Sequence, residues 1–183
     1  INLEQEIGQK QLHKYRELII RRSRNEPIAY ILKEKEFWSK NFIVDYNTLI
    51  PRPETELMVE SIIRIFKDKD IFLLDIGTGT GCILLSILSE LKNAKGIGVD
   101  ISHKAIKISE KNLKKHNLRN RSKFVRKSFT QIYHKKFDLI VSNPPYIIRK
   151  DMRSLEDDIK KFEPKLALDG GNDGLDLIKK IIY

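Results

Sequence analysis

Two short stretches combine residue types that could bind and activate a small molecule. The first, Asp75-Ile76-Gly77-Thr78-Gly79-Thr80-Gly81, places three glycines at alternate positions. Glycine permits positive φ and lets a ligand lie against bare backbone, and a helix that starts after such a turn offers unpaired N–H groups. A nucleotide-like ligand fits that chemistry. The spacing is G-x-G-x-G, whereas dinucleotide sites use G-x-G-x-x-G, and this counts against a nicotinamide cofactor. Asp100 follows 19 residues after Gly81, at the end of an apolar run, where a carboxylate can accept both hydroxyls of a ribose. The same acid would also suit the start of the next helix. The second stretch is Asn143-Pro144-Pro145-Tyr146. Pro144 biases Asn143 away from the helical region, and neither proline has an N–H to donate. The chain then leaves extended, with the Asn143 side-chain oxygen and the Pro144 carbonyl as two outward acceptors beside the ring of Tyr146. Such a pair suits an NH2 group on a planar system. Holding both of its hydrogens pushes electron density back to nitrogen and aims it at an electrophile. The plainer alternative is a Pro-rich turn that ends a strand.

These residues need elements to position them, and the hydrophobic pattern supplies candidates. Ile71 to Leu74 is a nearly continuous apolar run, as expected of a parallel strand covered on both faces. The glycines follow it, then an apolar helix over 83–91. Residues 96–99 form a second strand closing at Asp100, and Ser102 can cap a helix with Ala105, Ile108, Asn112 and Leu113 on one face. Residues 123–125 and 137–141 read as a third and a fourth strand. Strands alternating with helices at this spacing imply right-handed crossovers and a parallel sheet, hence an α/β, Rossmann-like class. Upstream, residues 4–24 read as a helix with Ile7, Leu12, Tyr15, Leu18 and Ile19 at helical spacing, ended by Pro27. Residues 34–50 suggest a β-hairpin, with Phe37, Trp38, Phe42, Val44 and Tyr46 around a Ser39-Lys40-Asn41 turn. Pro51-Arg52-Pro53 breaks regular structure, and Glu54 opens a helix with Met58, Ile62, Ile65 and Phe66 on one face. Three units follow: a helical part at 1–33, a hairpin linker at 34–50 and an α/β domain at 51–183.

At 183 residues, 40% of them apolar and 33% charged, the chain can bury a core and is neither collagen-like nor disordered. No apolar run approaches the ~18 residues that cross a bilayer. No leader pattern of basic, apolar and small residues stands at its start, so a cytoplasmic location and no membrane partner are expected. Cys82 is the one cysteine, and the four histidines are scattered, so no structural metal is expected. The net charge of +10 suggests an acidic partner such as RNA or a ribonucleoprotein, which places RNA or the ribosome nearby, although lysines also simply solvate a surface.

Taken together, Leu74 to Gly81, Asp100 and Asn143-Pro144-Pro145-Tyr146 resemble a class I S-adenosylmethionine-dependent amino methyltransferase. Leu49-Ile50-Pro51-Arg52-Pro53-Glu54-Thr55-Glu56 narrows the likeness, with Pro27 to Ile31 upstream and Glu163-Pro164, Ala167-Leu168, Gly170-Gly171 and Asp173-Gly174-Leu175 downstream. This set resembles the HemK/PrmC family, which methylates the side-chain amide nitrogen of the glutamine in the Gly-Gly-Gln motif of peptide chain release factors. The resemblance implies S-adenosyl-L-methionine as cofactor and a release factor as partner. It implies that Asp75, Gly77, Thr78, Gly79, Gly81, Asp100, Ile101, Ser128, Phe129 and Asn143 surround the cofactor. Asn143, Pro144 and Tyr146 would be catalytic, while Arg52, Pro53, Glu54, Thr55, Pro145, Glu163 and Pro164 would join them on the substrate side. The chain departs from the family where an acid usually meets the adenine amino group. Here Lys127-Ser128-Phe129 stands instead, with Ser128 a weaker acceptor and Phe129 a stacking surface. Lys33-Glu34 replaces a stretch where the family tends to have glycine. The helical part is shorter than the family's substrate-recognition bundle, and four strands are placed where seven are usual. A truncated chain is therefore expected, with its fourth strand an exposed apolar edge. N-methylation of an exocyclic amino group in RNA or DNA is the rival activity, and an inactive truncated product the non-enzymatic alternative.

Overall fold

The computed structural model describes residues 7–132 and 136–182. A helix α1 (Gln9–Ser23) leads through a short α2 (Ile28–Leu32) into an antiparallel hairpin of β1 (Glu34–Phe37) and β2 (Lys40–Ile43). A single 3-10 turn at Pro53–Thr55 precedes α3 (Glu56–Phe66). Then come β3 (Phe72–Ile76), α4 (Cys82–Glu90), β4 (Lys95–Asp100), α5 (His103–Lys115), β5 (Ser122–Arg126) and β6 (Leu139–Ser142), followed by short helices α6 (Asp157–Phe162) and α7 (Asp176–Ile182). The four strands β5-β4-β3-β6 form one parallel sheet. The strand order reverses between β4 and β6 around β3, so the carboxyl ends of β3, β4 and β6 open onto one crevice, where ligands of such sheets bind. The α/β class expected from the alternating pattern is the one observed.

The sheet is covered unequally. On one face the fully buried Leu73, Leu84, Leu85, Ile87 and Leu88 join Phe37, Phe42 and Val59 in the main core. Residues 82–88 of α4 are all buried, which explains a helix that is apolar all round instead of amphipathic. The other face has a smaller cluster, Leu74, Ile76, Ile97 and Val99, partly covered by Phe129, Phe137 and Ile181. β6 lies at the sheet edge with Ile140 52% exposed.

Several local expectations are corrected. The hairpin turn is Trp38-Ser39, both left-handed (φ +52° and +51°), and β2 begins at Lys40. Two left-handed residues match the right-handed twist of the flanking strands better than the Ser-Lys-Asn turn read from polarity. The hairpin ends at Ile43, and Val44 and Ile50 belong to a small cluster with Tyr30. Glu54 lies in the 3-10 turn, and the buried face of α3 is Val59 and Ile62, with Ile65 57% exposed. α1 has no buried residue, and Tyr15, Ile19 and Ile20 are exposed. The first six residues of the helix expected over 4–24 include three, 4–6, that lie outside the described residues. No helix among the described residues is long and apolar enough to cross a membrane.

Candidate active site

The crevice holds a cavity of about 560 Å³ lined by Gly77, Thr78, Gly79, Asp100, Ile101, Ser128, Phe129, Asn143, Pro145 and Pro164, with Arg52 and Thr55 on the same wall. A smaller cavity of about 120 Å³ adjoins it, lined by Arg52, Asn143, Pro144 and Tyr146. Asn143 borders both.

The glycine turn is built from its backbone conformation. Gly77, Gly79 and Gly81 have φ of +69°, +55° and +80°, values that L side chains rarely adopt. A Cβ at Gly77 would meet no protein atom within 4 Å, so its open side is the cavity, whereas one at Gly81 would lie 2.6 Å from the Phe124 ring. Gly81 therefore serves packing at the start of α4, and Gly77 and Gly79 line the cavity. Gly98, in the middle of β4, is needed for the same reason as Gly81: its Cβ would stand 2.4 Å from Phe124.

Asp75 sits beneath the turn and does not reach the cavity surface; it is fully buried. The Thr78 hydroxyl donates to its Oδ2 at 2.5 Å. Its Oδ1 has no hydrogen-bond partner among the described residues. Burial pushes the carboxyl up to about 7, with the negative Asp100 nearby adding to the rise against the opposing Thr78 bond. Asp100 is half-buried, and burial raises its pKa too, opposed by backbone N–H groups. Ser102 N donates to its Oδ1 at 2.8 Å and Gly79 N to its Oδ2 at 3.1 Å. Each oxygen keeps a further lone pair, so Asp100 fixes the glycine turn, starts α5 and still has acceptors left. Ser128 and Phe129 line the opposite end, where the Ser128 hydroxyl also accepts from Thr130 N at 3.3 Å.

On the β6 side, the motifs that lie far apart in sequence meet around residues 52–56. The Arg52 guanidinium donates to Glu163 Oε1 at 2.5 Å, and Ile50 N donates to Oε2 of the same buried carboxylate at 3.2 Å. Asn143 Nδ2 donates to the Thr55 hydroxyl at 3.4 Å. Trp38 N, in the hairpin turn, donates to Glu56 Oε1 at 2.9 Å. The Thr55 contact matters most chemically. Thr55 takes one amide N–H of Asn143, while Oδ1 of that side chain has no hydrogen-bond donor among the described residues. Pro53 and Glu54 are exposed and line neither cavity, and Glu163 is buried behind Arg52, so these three stand back from the crevice. Tyr146, 62% exposed, forms the outer rim. Beyond it the chain pairs with 168–170: Ile147 N donates to Leu168 O and Gly170 N to Ile147 O. A Cβ at Gly170 would lie 2.7 Å from Tyr146 Cα, and one at Gly174 2.5 Å from Tyr146 O. Those glycines let the downstream segment press against the Asn-Pro-Pro-Tyr bend.

Asn112 is the residue whose part sequence reading missed. Helical spacing sets it on the apolar face of α5, where it is fully buried. Its Nδ2 donates to Ile43 O at 3.0 Å and Thr80 O at 2.9 Å, and its Oδ1 accepts from Ile43 N at 2.7 Å. It therefore joins the end of the hairpin to the glycine turn. An amide among aliphatic residues on a buried helix face was the available signal.

Comparison with known proteins places this geometry. Residues 53–165 match the family model described as methyltransferase small domain. The chain belongs to that family. Within it, residues 1–32 also match the PrmC N-terminal domain. The release factor glutamine methyltransferase of Buchnera aphidicola subsp. Acyrthosiphon pisum is 45% identical over 177 residues, 97% of this chain and 63% of that protein. The protein of the same name from Geobacter sulfurreducens is 38% identical over 182 residues, 100% of this chain and 63% of its own length. This methyltransferase small-domain chain thus spans just under two thirds of the length of each of these two relatives. Among solved structures, the hMettl16 catalytic domain in complex with the MAT2A 3'UTR hairpin 1 superposes with a TM-score of 0.63 at 16% identity, covering 85% of this chain and 58% of that one. That likeness extends to the fold.

Proposed function

We propose that the crevice binds S-adenosyl-L-methionine and that the chain transfers its methyl group to the side-chain amide nitrogen of the glutamine in the Gly-Gly-Gln motif of a peptide chain release factor; the C–S bond breaks as the N–C bond forms and one amide proton passes to water, giving N5-methylglutamine and S-adenosylhomocysteine. One observation carries the reading: Asn143, with its amide N–H committed to Thr55, stands on the wall shared by the glycine-lined cavity and the smaller cavity beside it. The curated names of relatives at 38 to 46% identity support the same acceptor.

The cavity fits the cofactor on this chain's own chemistry. Gly77 and Gly79 offer bare backbone, and Asp100, whose charge is costly to bury, keeps acceptor lone pairs for a ribose. When bound, the cofactor supplies an electrophilic methyl carbon on a sulfonium. Asn143 Oδ1 and the Pro144 carbonyl accept the two hydrogens of the planar amide, return density to its nitrogen and fix its direction. Pro144 and Pro145, lacking N–H groups, add no donor that would compete for the amide nitrogen. Tyr146 closes one side of the acceptor and leaves the other open to the partner. Ser128 and Phe129 hold the adenine end by a hydroxyl and a ring face. The partner is a release factor, and the reaction belongs in the cytoplasm with translation.

The test is incubation with methyl-labelled cofactor and intact release factor, followed by peptide mass mapping. Label confined to the Gly-Gly-Gln glutamine supports the reading. Label on another residue, or transfer to an RNA or DNA added alongside in preference to the release factor, overturns it.

A further inference from the structure

The charge of the chain is segregated. Between residues 101 and 137 there are 12 Lys and Arg and one acid, Glu110, whereas the other 146 residues hold 23 Lys and Arg against 24 Asp and Glu. The net charge of +10 is thus the property of one segment, which contains α5 and β5. Lys104, Lys107, Lys111 and Lys114 recur at spacings of three and four along α5, and all are exposed. They form a stripe roughly 15 Å long down one helix face. Arg119 continues it into the loop before β5, the edge strand against which α5 packs.

Some basic groups of the segment hold the fold. Arg121 donates to the carbonyls of Leu88, Leu91 and Ala94 at the end of α4, Arg126 donates to Ile101 O, and Lys115 lies 3.8 Å from Glu34. The five of the stripe differ: among the described residues none makes a hydrogen bond or an ion pair with another side chain. A stripe of uncompensated cations repels itself, so it adds nothing to the fold.

We propose that this face binds the sugar-phosphate backbone of RNA, independently of base sequence and of the crevice. The chemistry separates RNA from an acidic protein. Lysine is depleted in protein interfaces, whose energy comes from buried aromatic and aliphatic anchors. On this segment Ile101 is the one large apolar residue exposed among the described residues, and it belongs to the cavity rim. Point charges without apolar anchors suit phosphates, whose neutralisation releases counterions. The face starts at the cavity end of α5, where Ser102 and Ala105 line the crevice, while Asn143 follows β6 at the opposite sheet edge. RNA held there lies beside the crevice and leaves the acceptor side open. The proposal does not rest on the identity of the methyl acceptor.

The probe is a fluorescent 20-nucleotide oligouridine, which has no exocyclic amino group and so cannot report on an amino-binding pocket. Four phosphate contacts on a single strand predict a salt slope near −2.8, so raising salt from 50 to 150 mM weakens binding about twentyfold. Replacing Lys104, Lys107, Lys111 and Lys114 together by Gln should weaken binding at 50 mM by on the order of tenfold or more and flatten that slope. Methyl transfer to a release factor should persist. The same replacement of Lys10, Lys14, Arg16 and Arg22 on α1 should change binding far less. No binding at 50 mM, equal loss in the α1 variant, or equal competition by polyglutamate of matched charge would each overturn the proposal. If the α5 variant unfolds, lysine acetylation of the wild-type chain replaces it. RNA should protect Lys107 and Lys111 but not Lys10 and Lys14, and the reverse pattern overturns the inference.

Discussion

Asn143 is where sequence chemistry and geometry meet most closely. Its amide nitrogen donates to Thr55, and the residue lines both cavities. Replacing it with alanine should abolish transfer, a fall of at least about 100-fold given typical effects of losing a preorganised polar group. Calorimetric affinity for S-adenosylhomocysteine should stay within about threefold, because Asn143 is one of many lining residues; equal losses in both would contradict this role. Asp75 gives a pH prediction. Its folded pKa, about 7, lies above the ordinary 3.8, so between these pH values the folded state holds a proton that the unfolded state releases. Stability therefore falls as pH rises through that window, by a ceiling of about 4 kcal/mol. Asp75→Asn removes this titration and leaves that of Asp100, so the fall in urea midpoint between pH 5 and pH 8 should be smaller in the variant than in the parent chain. A parent midpoint that rises with pH would show that Asp75 is ionised throughout.

Elements carry the next level, and the hairpin is the clearest case. It is held to the α/β domain by Asn112 and by Glu56, and neither bond is readable from local propensity. Asn112→Ala would strip partners from Ile43 N–H, Ile43 C=O and Thr80 C=O. Each buried orphan costs on the order of 1 to 3 kcal/mol, and a loss near 3 kcal/mol overall is expected from denaturant melts, since water can reach part of the gap. The same variant should weaken cofactor binding, because Thr80 belongs to the glycine turn. Val or Leu at that position should not rescue it, as packing alone does not replace the bonds. The strands and helices themselves were legible to within a few residues, for apolar runs of a parallel sheet and a capped amphipathic helix are strong local patterns. The hairpin turn was not, because its left-handed Trp38 and Ser39 are imposed by strand twist and by the Glu56 contact. Lys33 shows the same: it ends α2 in the left-handed region (φ +61°), where a glycine would fit without strain.

At the scale of the molecule, the ion pair between Arg52 and Glu163 closes the seam between residues 50–52 and the segment after α6. Glu163 is 2% exposed at its side chain and Arg52 30%. Removing only the guanidinium leaves a buried carboxylate with Ile50 N–H as its remaining partner. Arg52→Met should therefore cost about 3 kcal/mol, and Arg52→Met with Glu163→Gln should recover much of it. A double variant no more stable than the single one would mean that the pair's charge is not what destabilises the single variant. Transfer should fall in both, since Arg52 lines the two cavities.

The sequence by itself determined the chemistry and its local setting. A glycine turn after an apolar strand, an acid at the end of the next, and a proline-stiffened bend after the fourth each follow from backbone sterics acting over a few residues. Tertiary structure alone decided which residues cooperate. It set Thr55 against Asn143, Glu163 behind Arg52, and Gly170 and Gly174 against Tyr146. Those relations join positions as many as 111 residues apart, and they depend on strand order and on close packing, which no local pattern encodes.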